Sequence, residues 1–267
     1  MTENQGHFVL QQEVVKDVVI DFVLNNTEFD ISVFSGYNCD WKVAIDCAFA
    51  KKFSVFAAFV SIESYKYLKK EHPFSLWVPK TNIMEWSSYS TLIPKRKLLN
   101  HTCIMLPYGH LLHCKYMLES IFGEHIFIKP NSPWKPFTGF DVKIEHLDCE
   151  LNSFSQLEKI SRSELVIVSD YKKIDNTEFR FWCINEEIIT CAPYSWYKEY
   201  KPVPPEAFSF VEDILKDIYE HTSDGIVIDI VNTPDGFKVV ELNAISTSGW
   251  YHGMDVEKLL RRLQENY

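Results

Sequence analysis

The sequence has little positive charge and little glycine. Its 27 Lys and Arg residues are outnumbered by 37 Asp and Glu residues, which gives a formal net charge of −10 at pH 7. An acidic chain lacks the general attraction to phosphate backbones and anionic membranes that basic proteins have, so a sequence-independent nucleic-acid coat protein is disfavoured. The 9 glycines are about half of the usual share of ~7%, which excludes collagen-like and glycine-rich repeats.

The sequence also lacks a long apolar run and a secretory signal. No stretch approaches the ~18 to 20 apolar residues that cross a bilayer, and the first residues, MTENQGHFVLQQE, lack a basic start followed by an apolar run. The cysteines are odd in number, scattered and mostly in apolar surroundings, which favours reduced thiols over a disulfide framework. We therefore expect a cytoplasmic protein that does not bind membranes. The cysteines are Cys39, Cys47, Cys103, Cys114, Cys149, Cys183 and Cys191.

Histidines and cysteines cluster within residues 101–114, which raises the alternative of a zinc site. Zinc ligands usually come in two separated groups, whereas this cluster surrounds the apolar run TCIMLPY, whose alternate side chains point to opposite faces. We favour a core strand followed by the start of a helix, with zinc as the alternative. The cluster consists of His101, Cys103, His110, His113 and Cys114.

The first part of the chain mixes helical and strand patterns. A length of 267 residues suits one large or two modest domains. Residues 14–24 fit a strand or a short helix. Residues 38–70 indicate a helix, followed by the β-rich run FSVFAAFVS and then by the end of a basic helix. Residues 73–97 contain three prolines and indicate loops and edge pieces. Residues 110–122 fit one helical face, which Gly123 ends.

The second half is rich in short strands. Six runs have strand character, and PEAFSFVEDILKDIYEHTS is the only long helical pattern among them. We therefore predict a mainly antiparallel α+β domain at 116–267, preceded by a smaller α/β domain at 1–115. A C-terminal amphipathic helix, MDVEKLLRRLQENY, is expected to pack on the core. The six runs are EHIFIKP, ELVIVSDY, EFRFWCIN, EEIITCAPY, GIVIDIVN and GFKVVELN.

A hairpin near the C-terminus carries polar side chains in an apolar setting. GIVIDIVNTPDGFKVVELN indicates two strands joined by a Pro-Asp-Gly turn, and Asp229 interrupts the first of them. In the second strand Glu241 and Asn243 share a face, where Asp229 could meet them. Two carboxylates and an amide oxygen suit Mg²⁺ bound together with phosphates. The alternative is the polar face of an edge hairpin.

Three cationic residues precede this hairpin. Lys129 ends the apolar strand HIFIKP, and Lys135 follows in the loop NSPWKPFTGF with Gly139. The two lysines could grip phosphates from two sides, or each could be an ordinary surface residue. Arg180 shares a strand face with Glu178 in EFRFWCIN, and it indicates either a buried salt bridge or an active-site clamp.

In this order, the residues from Lys129 to Tyr251 resemble the ATP-grasp superfamily of carboxylate ligases. The resemblance implies an ATP-grasp fold, in which two α+β subdomains clasp ATP. VIDIVNTPDGFKVVELNAISTSGW is similar to the closing hairpin of that family, and IFIKP to the strand whose lysine touches the nucleotide phosphates. The pattern KPxxxxKxFxG and the ExR strand resemble most a small bacterial and phage clade described by two arginines and a lysine.

The resemblance implies a role for each matching residue. Backbone groups of Ser169, Asp170, Tyr171 and Lys172 would bind the adenine edge, and Glu178 the ribose. Lys129, Lys135 and Arg180 would bind the phosphates, with Lys135 and Arg180 also acting in catalysis. Two features depart from the family: the phosphate loop carries Pro133, Trp134 and Pro136, and the second arginine has only Arg96 and Arg162 as candidates. The implied metal ligands are Asp229, Glu241 and Asn243.

The implied activity is that of an ATP- and Mg²⁺-dependent ligase, which activates a carboxylate as an acyl phosphate and joins it to an amine. Ser246, Ser248 and Gly249 could bind an anionic group of a small-molecule or peptide substrate, or they could form a polar turn before the last helix. One alternative is a nucleotidyl or phosphoryl transferase acting on a short nucleic-acid end. Another is a non-catalytic nucleotide-binding module. A homodimer is compatible with the sequence.

Overall fold

A computed structural model describes most of the chain. The described residues are 7–15, 29–35, 42, 55–71, 82–157, 160–174, 178–194, 202–222 and 225–266. They divide into two compact units. The first unit draws on residues 1–80, 177–230 and 243–267, and the second on residues 81–176 and 231–242. The division into sequence domains at residues 1–115 and 116–267 stays a prediction.

The described residues form strands and helices, and several strands follow one another without a helix between them. The strands are β1 His7–Gln11, β2 Asp30–Phe34, β3 Val55–Phe59, β4 Cys103–Pro107, β5 His125–Pro130, β6 Phe140–Lys143, β7 Leu165–Asp170, β8 Glu178–Ile184, β9 Glu187–Pro193, β10 Ile226–Thr233 and β11 Gly236–Ala244. The helices are α1 Gln12–Val15, α2 Ile62–Glu71, α3 Trp86–Leu92, α4 Lys115–Phe122, α5 Leu147–Leu157, α6 Pro205–Asp217 and α7 Val256–Asn266.

The first unit contains a parallel sheet of order β2-β1-β3. The strand and the helix predicted within residues 53–70 are confirmed as β3 and α2. Of the ambiguous segment 14–24, residues 14–15 are helical and residues 16–24 lie outside the described residues. The helix predicted from residue 38 also falls there, apart from Lys42.

The predicted hairpin of β10 and β11 belongs to a four-stranded sheet of order β11-β10-β8-β9. The turn between the strands is fixed by Thr233, whose hydroxyl donates to the Gly236 carbonyl at 2.7 Å and accepts from the Asp235 N–H at 3.2 Å. Gly236 has a φ of 88°, a conformation that residues with a Cβ rarely adopt. The strands therefore meet where the Pro-Asp-Gly pattern predicts.

The second unit contains an antiparallel sheet of order β4-β7-β5-β6. Strand β4 confirms the strand predicted at residues 103–107, but β4 is an edge strand of its sheet and buries only Leu106, so the expected core position is wrong. Helix α4 begins at Lys115, five residues later than the pattern from 110 predicts, and Gly123 ends it with a φ of 85°. The mixed α+β fold class is confirmed.

Two further predictions about this unit are wrong. Residues 73–97 were expected to be loops and edge pieces, but α3 lies among them, buries Trp86 and Tyr89 and ends before Pro94. A helix of seven residues is too short for a clear periodic pattern. Helix α5 was also missed, because it lies between two of the runs with strand character and only 11 residues form it.

Each unit has its own apolar core. In the first unit the C-terminal helix α7 packs on the core as predicted, together with residues from the start of the chain. No helix among the described residues is long and apolar enough to cross a membrane. The first core includes Phe8, Leu10, Phe59, Trp182, Trp250, Leu259 and Leu263. The second includes Leu118, Ile126, Ile128, Phe137, Leu147, Val166 and Val168.

Candidate functional site

The first unit brings Arg180 and Asp229 together from the neighbouring strands β8 and β10. Arg180 Nε donates to Asp229 Oδ1 at 2.8 Å, and Nη2 donates to Oδ2 at 2.7 Å. The two side chains are 5% and 1% exposed. Burial alone would lower the pKa of Arg180, but the Asp229 carboxylate outweighs it and raises the pKa. Of the two alternatives for Arg180, the contacts therefore match the buried salt bridge.

Two tyrosines cover the Arg180 guanidinium. The Arg180 Cζ atom lies 4.6 Å from the ring centroid of Tyr194 and 5.3 Å from that of Tyr251. A third donor, Nη1, contacts the Gly249 carbonyl at 3.3 Å. The planar fork of Arg180 is therefore held at its edge by acceptors and at its faces by rings. Tyr194 was not identified from the sequence as a site residue. Its position one residue after β9 is the one feature that could have indicated it.

Asn243 joins this cluster through its amide. Its Nδ2 donates to Asp229 Oδ2 at 2.9 Å, so the amide nitrogen faces Asp229 and Oδ1 points the other way. Asp229 and Asn243, two of the three predicted metal ligands, are thus in contact. Glu241 precedes Asn243 by two residues in β11 and lies on the same face of that strand.

In the second unit, Glu241 pairs with Lys135. Lys135 Nζ lies 2.7 Å from Glu241 Oε1, and both side chains are partly exposed. The backbone of Lys135 has a φ of 37°, in the left-handed region that residues with a Cβ rarely adopt. Such strain is often found at functional sites. The loop predicted to bind phosphate therefore presents its lysine toward a predicted metal ligand.

Lys129 is a buried cation held by neutral groups. It is 8% exposed. Its Nζ donates to Tyr89 Oη at 3.3 Å and to the Val240 carbonyl at 3.2 Å, and it lies 4.7 Å from the ring centroid of Trp86. Burial lowers the pKa of Lys129 to about 8, against the opposing effect of Glu241. Trp86 and Tyr89 were missed by the sequence reasoning because they lie in the segment expected to be loops.

Gly139 makes room for the strand that carries Lys129. A Cβ at Gly139 would lie 2.8 Å from Phe127 Cζ and 3.1 Å from Lys129 Cβ. Both distances are shorter than ordinary van der Waals contact. Glycine at this position therefore lets the backbone approach β5 closely, which gives a reason for glycine in the KPxxxxKxFxG pattern.

The residues predicted to bind the base and ribose lie at strand ends. The Ser169 side chain is buried, whereas Tyr171 is 38% exposed and its ring stacks on His125 at 4.1 Å. The Tyr171 N–H donates to the His125 carbonyl, and Lys172 Nζ donates to the Leu99 carbonyl. In the first unit Glu178 begins β8 and is partly exposed. Contacts of these residues and Asp170 with a nucleotide stay a prediction.

The predicted acceptor residues follow β11. Ser246 and Ser248 are buried, the Ser248 hydroxyl donates to the Ala244 carbonyl at 2.7 Å, and Ser246 lies beside the Tyr65 hydroxyl. The Gly249 carbonyl accepts from Arg180. The Ser248 hydroxyl and the Gly249 carbonyl thus make contacts within the first unit, and substrate binding by the three residues stays a prediction. Arg96 and Arg162, the candidates for a second arginine, are exposed.

The polar groups in both units have the chemistry that Mg²⁺ and ATP require. Asp229, Glu241 and Asn243 supply carboxylate and amide oxygens, which are the hard donors that Mg²⁺ binds. Two carboxylates suit an ion that keeps water or phosphate oxygens as its remaining ligands. Lys129 supplies a buried positive charge that no carboxylate of the described residues neutralises by an ion pair. The donor types present therefore suit both groups, and binding of Mg²⁺ by Asp229, Glu241 and Asn243 stays a prediction.

Comparison with known proteins finds a matching family model and similar solved structures. The family model that matches residues 93–263 describes an ATP-grasp domain, family 3 of the clade characterised by two arginines and a lysine. No curated protein matches the sequence. D-alanine–D-alanine ligase from Bacillus anthracis is similar in structure, with a TM-score of 0.62, 12% identity and coverage of 98% of this chain and 97% of that chain.

Two further solved structures are similar over their full length. D-cycloserine synthetase DcsG has a TM-score of 0.61 and 12% identity, with 97% of this chain and 100% of that chain covered. VanG D-Ala:D-Ser ligase from Enterococcus faecalis has a TM-score of 0.60 and 13% identity, with 99% and 100% covered. At these identities the likeness concerns the fold.

Proposed function

The chain belongs to the two-arginine, one-lysine clade of ATP-grasp domains, and on this premise we propose that it is an ATP- and Mg²⁺-dependent ligase joining a carboxylate to an amine. The observation that carries the proposal is the buried Lys129 ammonium, which forms no ion pair with a carboxylate of the described residues, although the charge of Glu241 acts on it. Burying an unpaired charge is costly. A phosphate group would supply the missing negative charge.

The reaction needs positioning and charge neutralisation more than covalent chemistry from the protein. The γ-phosphoryl group passes to the substrate carboxylate and gives an acyl phosphate and ADP, and the amine then displaces phosphate and loses a proton. Mg²⁺, when bound, would supply charge neutralisation for the phosphates. Asp229, Glu241 and Asn243 would hold the metal, and Lys129 and Lys135 would bind the phosphates.

Arg180 acts through Asp229 in this proposal. Its Nε, Nη1 and Nη2 donors contact Asp229 and Gly249, and its faces contact two tyrosines. These contacts support a role in orienting the Asp229 carboxylate and, through it, the Asn243 amide. The contact of Arg180 with phosphate or substrate that the family resemblance implies stays a prediction.

The substrates we propose are amino-acid-like. The names of the three relatives specify D-alanine–D-alanine, D-Ala:D-Ser and D-cycloserine ligation or synthesis. Each of the named compounds is an amino acid or an amino-acid derivative. A small amino acid or peptide as carboxylate donor and a second one as amine are therefore the first compounds to test.

The test measures the nucleotide product. The full chain is incubated with ATP, Mg²⁺ and pairs of D- and L-amino acids, and ADP, AMP and new amide masses are followed together. We expect ADP and phosphate with formation of an amide. AMP as the product would contradict the proposal and favour nucleotidyl transfer, and ATP binding without turnover on any pair would favour a non-catalytic module.

Glu241→Gln tests the metal role. Its neutral amide is expected to lower ADP release on the order of 10²-fold or more, because charge that stabilises the transition state is lost. Glu145→Gln, a change at an exposed glutamate of the same unit, serves as the matched control and keeps normal rates. ADP release by Glu241→Gln at the rate of the control would remove Glu241 from the metal site.

A further inference from the structure

The surroundings of Lys129 are unusual for a buried lysine. An ammonium has three N–H donors, and two of those on Lys129 go to the Tyr89 hydroxyl and the Val240 carbonyl. Neither acceptor carries a formal negative charge. The described residues contain no salt bridge to Lys129. Its charge is therefore solvated mainly by dipoles, and Glu241 acts on it without forming an ion pair.

Two aromatic rings supply much of this solvation. Lys129 Nζ lies 4.7 Å from the centroid of Trp86 and 6.0 Å from that of Tyr89. The two rings pack edge to face, with centroids 5.2 Å apart and an interplanar angle of 82°. Trp86 is 4% exposed and Tyr89 is 1% exposed. Cation–π attraction strengthens when the partners are removed from water, so these buried rings stabilise the ammonium without cancelling its charge.

Strand β5 and helix α3 are tied together beside the rings. Asn131 lies two residues after Lys129, and its carbonyl accepts from the Trp86 N–H at 3.3 Å. Its Oδ1 accepts from the Ser87 N–H at 2.9 Å, and its Nδ2 donates to Ser87 Oγ at 3.2 Å. Three hydrogen bonds thus fix the start of α3 against the end of β5. The rings are held in place independently of any ligand.

We propose that Trp86 and Tyr89 are positioning residues for nucleotide binding, which hold the Lys129 ammonium in place as a positive charge that forms no ion pair and is available to a phosphate group. The inference rests on the proposed function and deepens it. Both rings precede residue 93, where the family match begins, so their role follows from the contacts in this chain. A carboxylate in their place would neutralise Lys129 and repel phosphate, whereas aromatic faces do neither.

The test compares variants that keep a ring with variants that lose it. Trp86→Phe keeps an aromatic face, and Trp86→Leu keeps apolar bulk alone. Tyr89→Phe keeps the ring and loses the hydroxyl acceptor. Tyr108→Phe, a buried ring elsewhere in the same unit, is the control for general packing effects. Calorimetry of each full-length variant gives the Kd for ATP with Mg²⁺, and thermal unfolding gives its Tm.

We expect Trp86→Leu to weaken ATP binding on the order of tenfold, which corresponds to the loss of a desolvated cation–π contact. Trp86→Phe should stay within about threefold of the wild type, Tyr89→Phe should lose a few-fold, and Tyr108→Phe should bind ATP unchanged. In kinetics the loss should raise KM for ATP and leave kcat unchanged, because the rings act through Lys129 on binding.

A double-variant cycle separates positioning from general stability. In a Lys129→Met background, Trp86→Leu should have no further effect on the Kd, because the charge that the ring positions is gone. Additive effects, or equal Kd values for Trp86→Leu and Trp86→Phe, would overturn the inference. If Trp86→Leu does not fold, the pair Tyr89→Leu and Tyr89→Phe makes the same comparison. A wild-type chain without affinity for ATP would instead overturn the proposed function.

Discussion

At the scale of single residues, the two buried cations are treated in opposite ways. Arg180 has a bidentate carboxylate partner in Asp229, whereas Lys129 has a carbonyl, a hydroxyl and two rings. The charge of an arginine paired in this way is largely compensated by its partner. A lysine surrounded by neutral groups retains attraction for an anion. Two buried cations in strands thus have opposite electrostatic surroundings.

The charge state of Lys129 gives a pH-dependent prediction. Burial, and to a lesser extent Lys135, lowers its pKa to about 8, while Glu241 raises it. Above that pH the free protein loses the ammonium proton, so affinity for ATP should fall as the pH rises from about 7.5 to about 9.5. The measurement is the calorimetric Kd across this range. Lys129→Arg keeps its charge throughout, so a wild-type profile as flat as that of the arginine variant would contradict the prediction.

Individual residues also show what the sequence could predict. Asp229 was identified because a carboxylate interrupts an apolar strand, and Lys129 because it ends one. The Arg180–Asp229 contact joins residues 49 positions apart, and no spacing in the sequence indicates that pairing. Tyr89 meets Lys129 across 40 positions from a helix too short to be recognised. Tertiary partners of this kind depend on the fold, which local patterns do not contain.

At the scale of elements, the link between β5 and α3 determines where the rings lie. Helix α3 has no side-chain cap from its own N-cap residue, Glu85. Asn131, the residue after β5, supplies acceptors to the first two N–H groups of the helix, those of Trp86 and Ser87. Unsatisfied N–H groups at a helix start are unfavourable. The strand that carries the cation therefore also stabilises the helix that carries the rings.

Asn131→Ala should lower the free energy of unfolding by about 1 kcal/mol, the usual size of a lost N-cap interaction. Denaturant unfolding of the full chain measures this change. Asn131→Asp keeps an acceptor for the Ser87 N–H and places negative charge at the helix start, so it should be the milder variant. Equal destabilisation by alanine and aspartate would mean that the Oδ1 contact does not stabilise the helix.

The length and pattern of a strand or helix decide whether the sequence predicts it. The strands from β7 to β11 were predicted within about two residues, because each has an apolar run bounded by turn residues. Helix α5 was missed, and so was the four-residue strand β6. Short elements are stabilised by packing more than by their own patterns. Val142 of β6 and Leu147 of α5 lie in the second core, where they contribute to that packing.

At the scale of the whole molecule, the family match and the compact units have different boundaries. The match covers residues 93–263, yet the first core combines Phe8, Leu10 and Phe59 with Trp250 and α7. Residues far apart in the chain therefore share one core. A sequence pattern that identifies a motif does not by itself define a segment that folds alone.

A chain truncated to residues 93–263 should consequently lose cooperative unfolding. It lacks β1, β2 and β3, and each buried large apolar side chain contributes about 1.5 to 3 kcal/mol, against a total stability of about 5 to 15 kcal/mol. Thermal unfolding and binding of a hydrophobic dye measure the effect, with the full chain as reference. A truncated chain that unfolds as sharply and at the same Tm as the full chain would contradict this prediction.

The distance of 4.7 Å between the Trp86 ring and the Lys129 ammonium has an optical consequence. The energy of indole emission depends on the electric field across the ring, and an anion reaching Lys129 would change that field. The chain has 7 tryptophans, so the contribution of Trp86 is the difference between the spectra of the wild type and Trp86→Phe. Occupancy beside Lys129 can thus be followed by fluorescence without a label.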